Sequence, residues 1–148
     1  MPLTHLNKKG EANMVDISEK TIIHREAFAE GKIFLKPSTI ELIRDNTLKK
    51  GDVLSAARIA AISGAKKTSD LIPLCHNILI NKIEISFEMG KDHVLIHSRA
   101  VCDGKTGIEM EAITAVCIAA ITIYDMCKAV DKEMVISDIR LVKKTKSQ

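Results

Sequence analysis

At 148 residues, with 46% of positions apolar and 28% charged, the chain is long enough for one compact domain and too short for two with sizeable cores. Seven Gly and three Pro exclude a linker or low-complexity chain, and 22 Lys and Arg against 19 acids exclude the strongly basic balance of a protein that coats nucleic acid. With one Tyr, three Phe and no Trp there is little aromatic surface on which bases could stack. The reading is one domain over residues 1–148, with ends at about 1–15 and 143–148 expected to be mobile. Cys75, Cys102, Cys117 and Cys127 form no C-x-x-C pair and no metal-finger spacing, so they read as free thiols of a cytoplasmic protein. The start, Met1-Pro2-Leu3-Thr4-His5 with Lys8, Lys9 and Glu11 behind it, has no apolar signal core. The most apolar run, Ala112 to Tyr124, is short of the ~20 residues a membrane span needs, and no membrane partner is expected.

In chain order, the apolar groups from Thr21 to Leu35 predict a first strand, bent near Gly31. Ser38 and Glu41 have the spacing of a capping box and predict a short helix that stops near Asn46. A second helix is expected after Asp52 through the alanine-rich run toward Lys66, with Gly64 weakening its last turn. Ile83, Ile85 and Phe87, then Gly90 and Asp92, then Val94 and Ile96 read as a hairpin. Thr106 or Gly107 opens the longest helix, Ile108 to about Ala129, which has almost no polar face and must be covered on several sides. Val135, Ser137, Ile139 and Leu141 alternate as a last strand before the basic tail of Lys143, Lys144 and Lys146. With the helical pair collapsed into one layer, the order is βαββαβ. The expected class is α+β, a ferredoxin-like two-layer sandwich on an antiparallel sheet with an extra helix. An apolar helix with a face left over in such a sandwich points to a homo-oligomer.

The charges on that helix carry the sharpest chemical signal. Asp125 and Lys128 are three apart and share a helical face, where a carboxylate and an amine can hold one another charged or share a proton; the competing reading is a plain surface ion pair. Glu109 and Glu111 at the other end are also what the helix dipole favours without any function. Lys49, Lys50, Lys66 and Lys67 bracket the second helix and, with Arg25, could converge on a polyphosphate, although each alone reads as a solvated cation and no P-loop is present. Cys75 and His76 point to opposite faces if the hairpin strand has begun there, which argues against a Cys–His nucleophile.

Beyond these local patterns, several long segments match one family in order. Thr4-His5-Leu6-Asn7 through Met14-Val15-Asp16, Lys50-Gly51-Asp52-Val53, Ser69-Asp70-Leu71-Ile72-Pro73-Leu74-Cys75-His76, Thr106-Gly107-Ile108-Glu109-Met110-Glu111-Ala112 and Tyr124-Asp125-Met126-Cys127-Lys128-Ala129-Val130 resemble the MoaC family, the cyclic pyranopterin monophosphate synthases of molybdenum cofactor biosynthesis. The resemblance covers nearly the whole chain. It departs at Asn77, where a proline is usual, and at Asp103, where a threonine is expected.

The resemblance implies a lyase that converts 3′,8-cyclo-7,8-dihydroguanosine 5′-triphosphate to cyclic pyranopterin monophosphate with release of diphosphate. It implies a ferredoxin-like subunit in a hexamer built as a trimer of dimers. Asp125 and Lys128 would be the catalytic pair, with Lys50 beside the reacting centre. Leu74, Cys75, His76, Met110 and Glu111 would line the substrate pocket, and Arg25, Lys66 and Lys67 would meet the triphosphate. No redox cofactor is required, because electrons are only redistributed; Mg2+ could arrive with the triphosphate, though no acidic cluster is built to hold it. Two other classes stay open: a ferredoxin-like regulatory or RNA-binding module, and another nucleotide enzyme that releases diphosphate from a purine nucleoside triphosphate.

Overall fold

The computed structural model describes residues 3–148; Met1 and Pro2, part of the expected mobile start, lie outside the described residues. Small and β-branched residues at alternate positions make β1 (Ile23–Phe34) a strand with two different faces. Ala27, Ala29, Gly31 and Ile33 are buried, while Phe28, Glu30 and Lys32 between them face the other way. It pairs antiparallel on one side with β3 (His93–Gly104) and on the other with β4 (Val135–Ser147), and β2 (Ile80–Met89) adds to the far side of β3. The strand order β2-β3-β1-β4 is that of the split βαβ arrangement, so the expected ferredoxin-like α+β class is what the chain adopts.

Two of the expected element boundaries are corrected here. Lys143, Lys144 and Lys146 do not form a tail: they lie opposite Phe28, Ala27 and Arg25 as the second half of β4. Near Gly31 the strand does not turn away; the irregularity is a register shift against β4 between Glu30 and Lys32. Gly31 serves packing, since a Cβ there would lie 2.5 Å from Ile139 and 2.7 Å from Val116.

The helices cover one face of the sheet. α1 (Pro37–Arg44) begins after Lys36, and Ser38 lies inside it, so the expected capping box is unused. The buried Asp131 replaces it from across the fold, where its carboxylate accepts from the Lys36 backbone N–H at 2.9 Å and from the Thr39 hydroxyl at 2.9 Å. α2 (Val53–Lys66) starts as expected, with Asp52 as N-cap accepting from the Ser55 N–H at 3.0 Å. Gly64 packs against Ile118, 2.7 Å from where a Cβ would be, and does not fray the helix. α3 (Thr68–Leu71) is a single turn, and α4 (Glu109–Cys127) follows β3.

At 19 residues α4 is as long and apolar as a membrane span, but Ala112, Ala115, Val116, Ala119 and Ile123 are fully buried in the core. Alanine and glycine on the facing surfaces let α4 sit close to β1, while α2 covers one flank. The other flank stays open: Cys117 is half-buried, and Ile121 and Tyr124, at helical spacing from it, are exposed. The cover expected on several sides is therefore supplied on two.

Candidate active site

At the C-terminal end of α4 the structure brings three of the expected residues together. Lys128 Nζ lies 3.0 Å from Asp125 Oδ1, and Lys50 Nζ lies 3.2 Å from Asp125 Oδ2 and donates to the Asp125 carbonyl at 3.0 Å. The chain reaches this point because Gly51, at φ +100°, turns Lys50 toward α4 just before Asp52 caps α2. Two cations at a helix C-terminus also suit the dipole and occupy one of its free carbonyls. Hydrogen bonds from Lys128 and then Lys50 hold the Asp125 carboxyl below the ordinary aspartate range. The Lys128 side chain is 57% exposed, so nothing in a single chain desolvates it.

The opposite end of α4 holds most of the other expected residues. Leu74, Cys75, His76 and Met110 line one cavity of about 540 Å3, together with Thr106, Gly107 and Glu109. Cys75 and His76 lie in the loop ahead of β2, not in the strand, so their expected alternation on a strand does not apply. His76 Nε2 is 2.6 Å from the Val15 carbonyl; a carbonyl only accepts, so this nitrogen carries a proton. Glu111 is buried, with no partner on Oε1, and burial, with the nearby Glu109 charge adding to it, pushes its carboxyl up to about 7. The plain dipole reading does not account for such an acid. Burial also pushes the Cys75 thiol up, and the charges of Glu111 and Glu109 act in the same direction. Glu109 folds back onto Gly107, where any side chain would collide with its carboxylate.

Arg25 does not line that cavity. Its guanidinium donates to the Gly104 and Lys105 carbonyls at 3.1 and 3.3 Å, and it faces an adjoining cavity of about 400 Å3 that shares Thr106, Gly107 and Glu109 with the first. Lys66 borders another hollow, with Asn77 and Ile78, and together with Lys67, the C-cap of α2, it edges a further one on the outer side of that helix. The expected convergence of Lys50, Lys66, Lys67 and Arg25 therefore does not occur within one chain. Glu111 and Asp125 are fourteen positions apart on one continuous helix, about 21 Å at its rise per residue.

The family model of MoaC matches residues 14–147. The chain belongs to the MoaC family. It is 57% identical over 145 residues to the cyclic pyranopterin monophosphate synthase of Peptoclostridium acidaminophilum, which covers 98% of this chain and 92% of that protein. The protein of the same name from Heliobacterium modesticaldum is 54% identical, covering 97% of this chain and 92% of its own, and that of Clostridium acetobutylicum is 55% identical, covering 96% and 89%.

Sequence reasoning missed three cations in this MoaC chain, of which Lys20 lines the Arg25 cavity from the segment ahead of β1. Lys144 and Lys146 reach the Arg25 cavity from the end of β4, and Lys146 lies directly opposite Arg25 across the sheet. Like charges facing one another on neighbouring strands are unfavourable unless an anion sits between them. No alternation signals Lys144 and Lys146: the burial pattern ends at Leu141, and the register against β1 shifts between Leu141 and Lys143, so only the pairing places these lysines. Among the described residues of the MoaC chain, no group of three or more His, Cys, Asp or Glu side chains is gathered as for a metal ion.

Proposed function

We infer that the chain carries out the reaction for which its relatives are named: 3′,8-cyclo-7,8-dihydroguanosine 5′-triphosphate is rearranged to cyclic pyranopterin monophosphate and diphosphate is released, as a step of molybdenum cofactor biosynthesis. The observation that carries this reading is the family match across residues 14–147, with relatives above 50% identity over nearly the full length. The site residues fit the chemistry. Rebuilding a purine-derived ring into a pterin takes several proton transfers, and Lys50 and Lys128 are ammonium donors fixed on one carboxylate. Asp125 stays ionised at neutral pH, so it sets the position of both lysines and is the carboxylate available to accept a proton that the substrate releases.

Closing the cyclic phosphate forms a bond between a substrate hydroxyl oxygen, whose proton passes to a base or to water, and the α-phosphorus, and breaks the α-phosphorus bond to the bridging oxygen, whose electron pair leaves with diphosphate. Arg25, Lys144 and Lys146 offset the charge that builds on this leaving group. Leu74, Cys75, His76, Met110 and Glu111 hold the ring system, and Lys66 and Lys67 extend the basic surface beside it. Mg2+ would enter bound to the triphosphate. The same reading takes the chain as a cytoplasmic homo-oligomer, a hexamer formed as a trimer of dimers; its four free cysteines and the open apolar flank of α4 support this.

Turnover of the cyclised guanosine triphosphate, followed by diphosphate release and mass detection of the cyclic product, tests the reaction. The expected result is product from this compound and none from GTP. Diphosphate released from GTP would instead favour the broader class of nucleotide hydrolases.

A further inference from the structure

Ahead of β1 the chain folds into a small hairpin that buries almost nothing of its own. Residues 3–14 are all exposed, yet residues 5–13 are closely tied together. The Asn13 N–H donates to the His5 carbonyl at 2.7 Å, the Asn7 N–H to the Glu11 carbonyl at 2.9 Å, and Leu6 bridges Ala12. The Asn7 side chain staples the turn: its Oδ1 accepts from the Lys9 and Glu11 N–H groups at 2.9 and 3.0 Å, and its Nδ2 donates to Glu11 at 2.8 Å. Gly10, at φ +79°, allows the reversal. A hairpin this short, with no core, is not expected to hold its place by itself.

Two contacts tie the segment just behind it, at Val15 and Ser18, to the rest of the protein. His76 Nε2 donates to the Val15 carbonyl at 2.6 Å, and Lys105 Nζ donates to the Ser18 carbonyl at 3.3 Å. Held in this way, the hairpin places His5 on the wall of the 540 Å3 cavity, across from the loop that carries Cys75 and from Met110 of α4. An imidazole at that position can donate or accept at neutral pH and presents a polar group to a cavity whose lining is mostly apolar.

We propose that residues 5–13 form a stapled wall of the substrate pocket, with His5 as a contact for the bound purine-derived nucleotide and His76 as the latch that seats the wall. The inference rests on the function proposed above for the identity of the nucleotide, but not for the existence of the wall. His76 consequently spends Nε2 on the chain itself and offers only Nδ1 to a ligand.

Two measurements test this. In the ligand-free parent, amide hydrogen exchange should show protection at Asn7, Gly10 and Asn13. Asn7→Ala should lose that protection while the amides of β1 and β3 keep theirs. Fast exchange at all three positions in the parent would overturn the preformed wall whatever the enzyme's substrate. In steady-state kinetics with the cyclised guanosine triphosphate, His5→Ala and Asn7→Ala should each raise KM about five- to tenfold, the size of one neutral hydrogen bond. kcat and the thermal midpoint should hold steady, and His5→Gln should recover most of the loss. Unchanged KM in both alanine variants, beside an active parent, would overturn the contact. An inactive parent would count against the proposed function and leave the exchange result to decide the wall.

Discussion

Glu111 presents a carboxyl closed off from water with one oxygen unpartnered, and its raised pKa makes folding depend on pH in a definite direction. Below about pH 4.5 it is protonated whether the chain is folded or not. Between there and about 7 the unfolded chain loses this proton while the folded chain keeps it, so stability falls as pH rises, by up to about 3 kcal/mol once both states are ionised. Glu111→Gln removes the charge and keeps the shape. The variant should melt higher than the parent at pH 8 and coincide with it near pH 5; identical melting at pH 8 would mean the carboxylate is fully compensated in the folded state. At the far end of α4, the proton-donor role proposed for Lys128 would be exercised in the transition state, whereas phosphate-binding cations also act on bound substrate. Lys128→Ala should therefore lower kcat by about 10²–10⁴ with a much smaller change in substrate binding, and Lys146→Ala, in the Arg25 cavity, should weaken binding more than it slows turnover. Titration calorimetry beside steady-state kinetics checks this, and equal losses in both quantities for both variants would remove the distinction.

Among the elements, α1 and α2 show two ways of starting a helix, and only one of them is local. Asp52 and Ser55 cap α2 from within four residues, and that signal is legible in the sequence. The cap of α1 comes from Asp131, ninety-five positions from Lys36, and no spacing rule links them. Burial works to raise the Asp131 carboxyl, but hydrogen bonds from the Lys36 and Glu133 N–H groups and the Thr39 hydroxyl outweigh it and hold it below the ordinary range. Asp131→Ala leaves the Lys36 N–H and the Thr39 hydroxyl without this acceptor and should cost about 1–3 kcal/mol. Asp131→Asn, which keeps one acceptor oxygen, should cost less. Urea unfolding measures both, and an unchanged midpoint in the alanine variant would show that α1 starts without this cap. β4 runs past its expected end for a related reason: lysines are poor strand formers, so the run after Leu141 looks like a tail until pairing with β1 is known. The candidate site divides in the same way. Asp125 and Lys128 are readable as neighbours from their i,i+3 spacing, whereas Lys50 joins them from seventy-five positions away and only the fold brings it there.

In the whole molecule, the two groups of site residues sit at opposite ends of one helix, about 21 Å apart by its rise, and no side chain closes that gap. A pocket built within one chain would have to run the length of α4, yet the cavities around Met110 and Arg25 lie at its N-terminal end and neither is lined by Asp125 or Lys128. The open flank of α4 offers the alternative. If Cys117, Ile121 and Tyr124 pack against the same surface of a second copy across a two-fold axis, antiparallel helices bring the Glu111 end of one chain beside the Asp125 end of the other, twice per dimer. Light scattering coupled to gel filtration should then give a mass well above that of one chain, and a stable monomer at micromolar concentration would end the argument there. The sharper test mixes two inactive variants, Glu111→Ala and Asp125→Ala, denatured and refolded together. Random pairing makes half of the dimers mixed, and each mixed dimer collects both lesions in one site and leaves the other intact, so about a quarter of the parent activity should return. If mixed oligomers are confirmed by native mass spectrometry and no activity returns, both residues belong to the pocket of a single chain, and the substrate itself would have to span the helix.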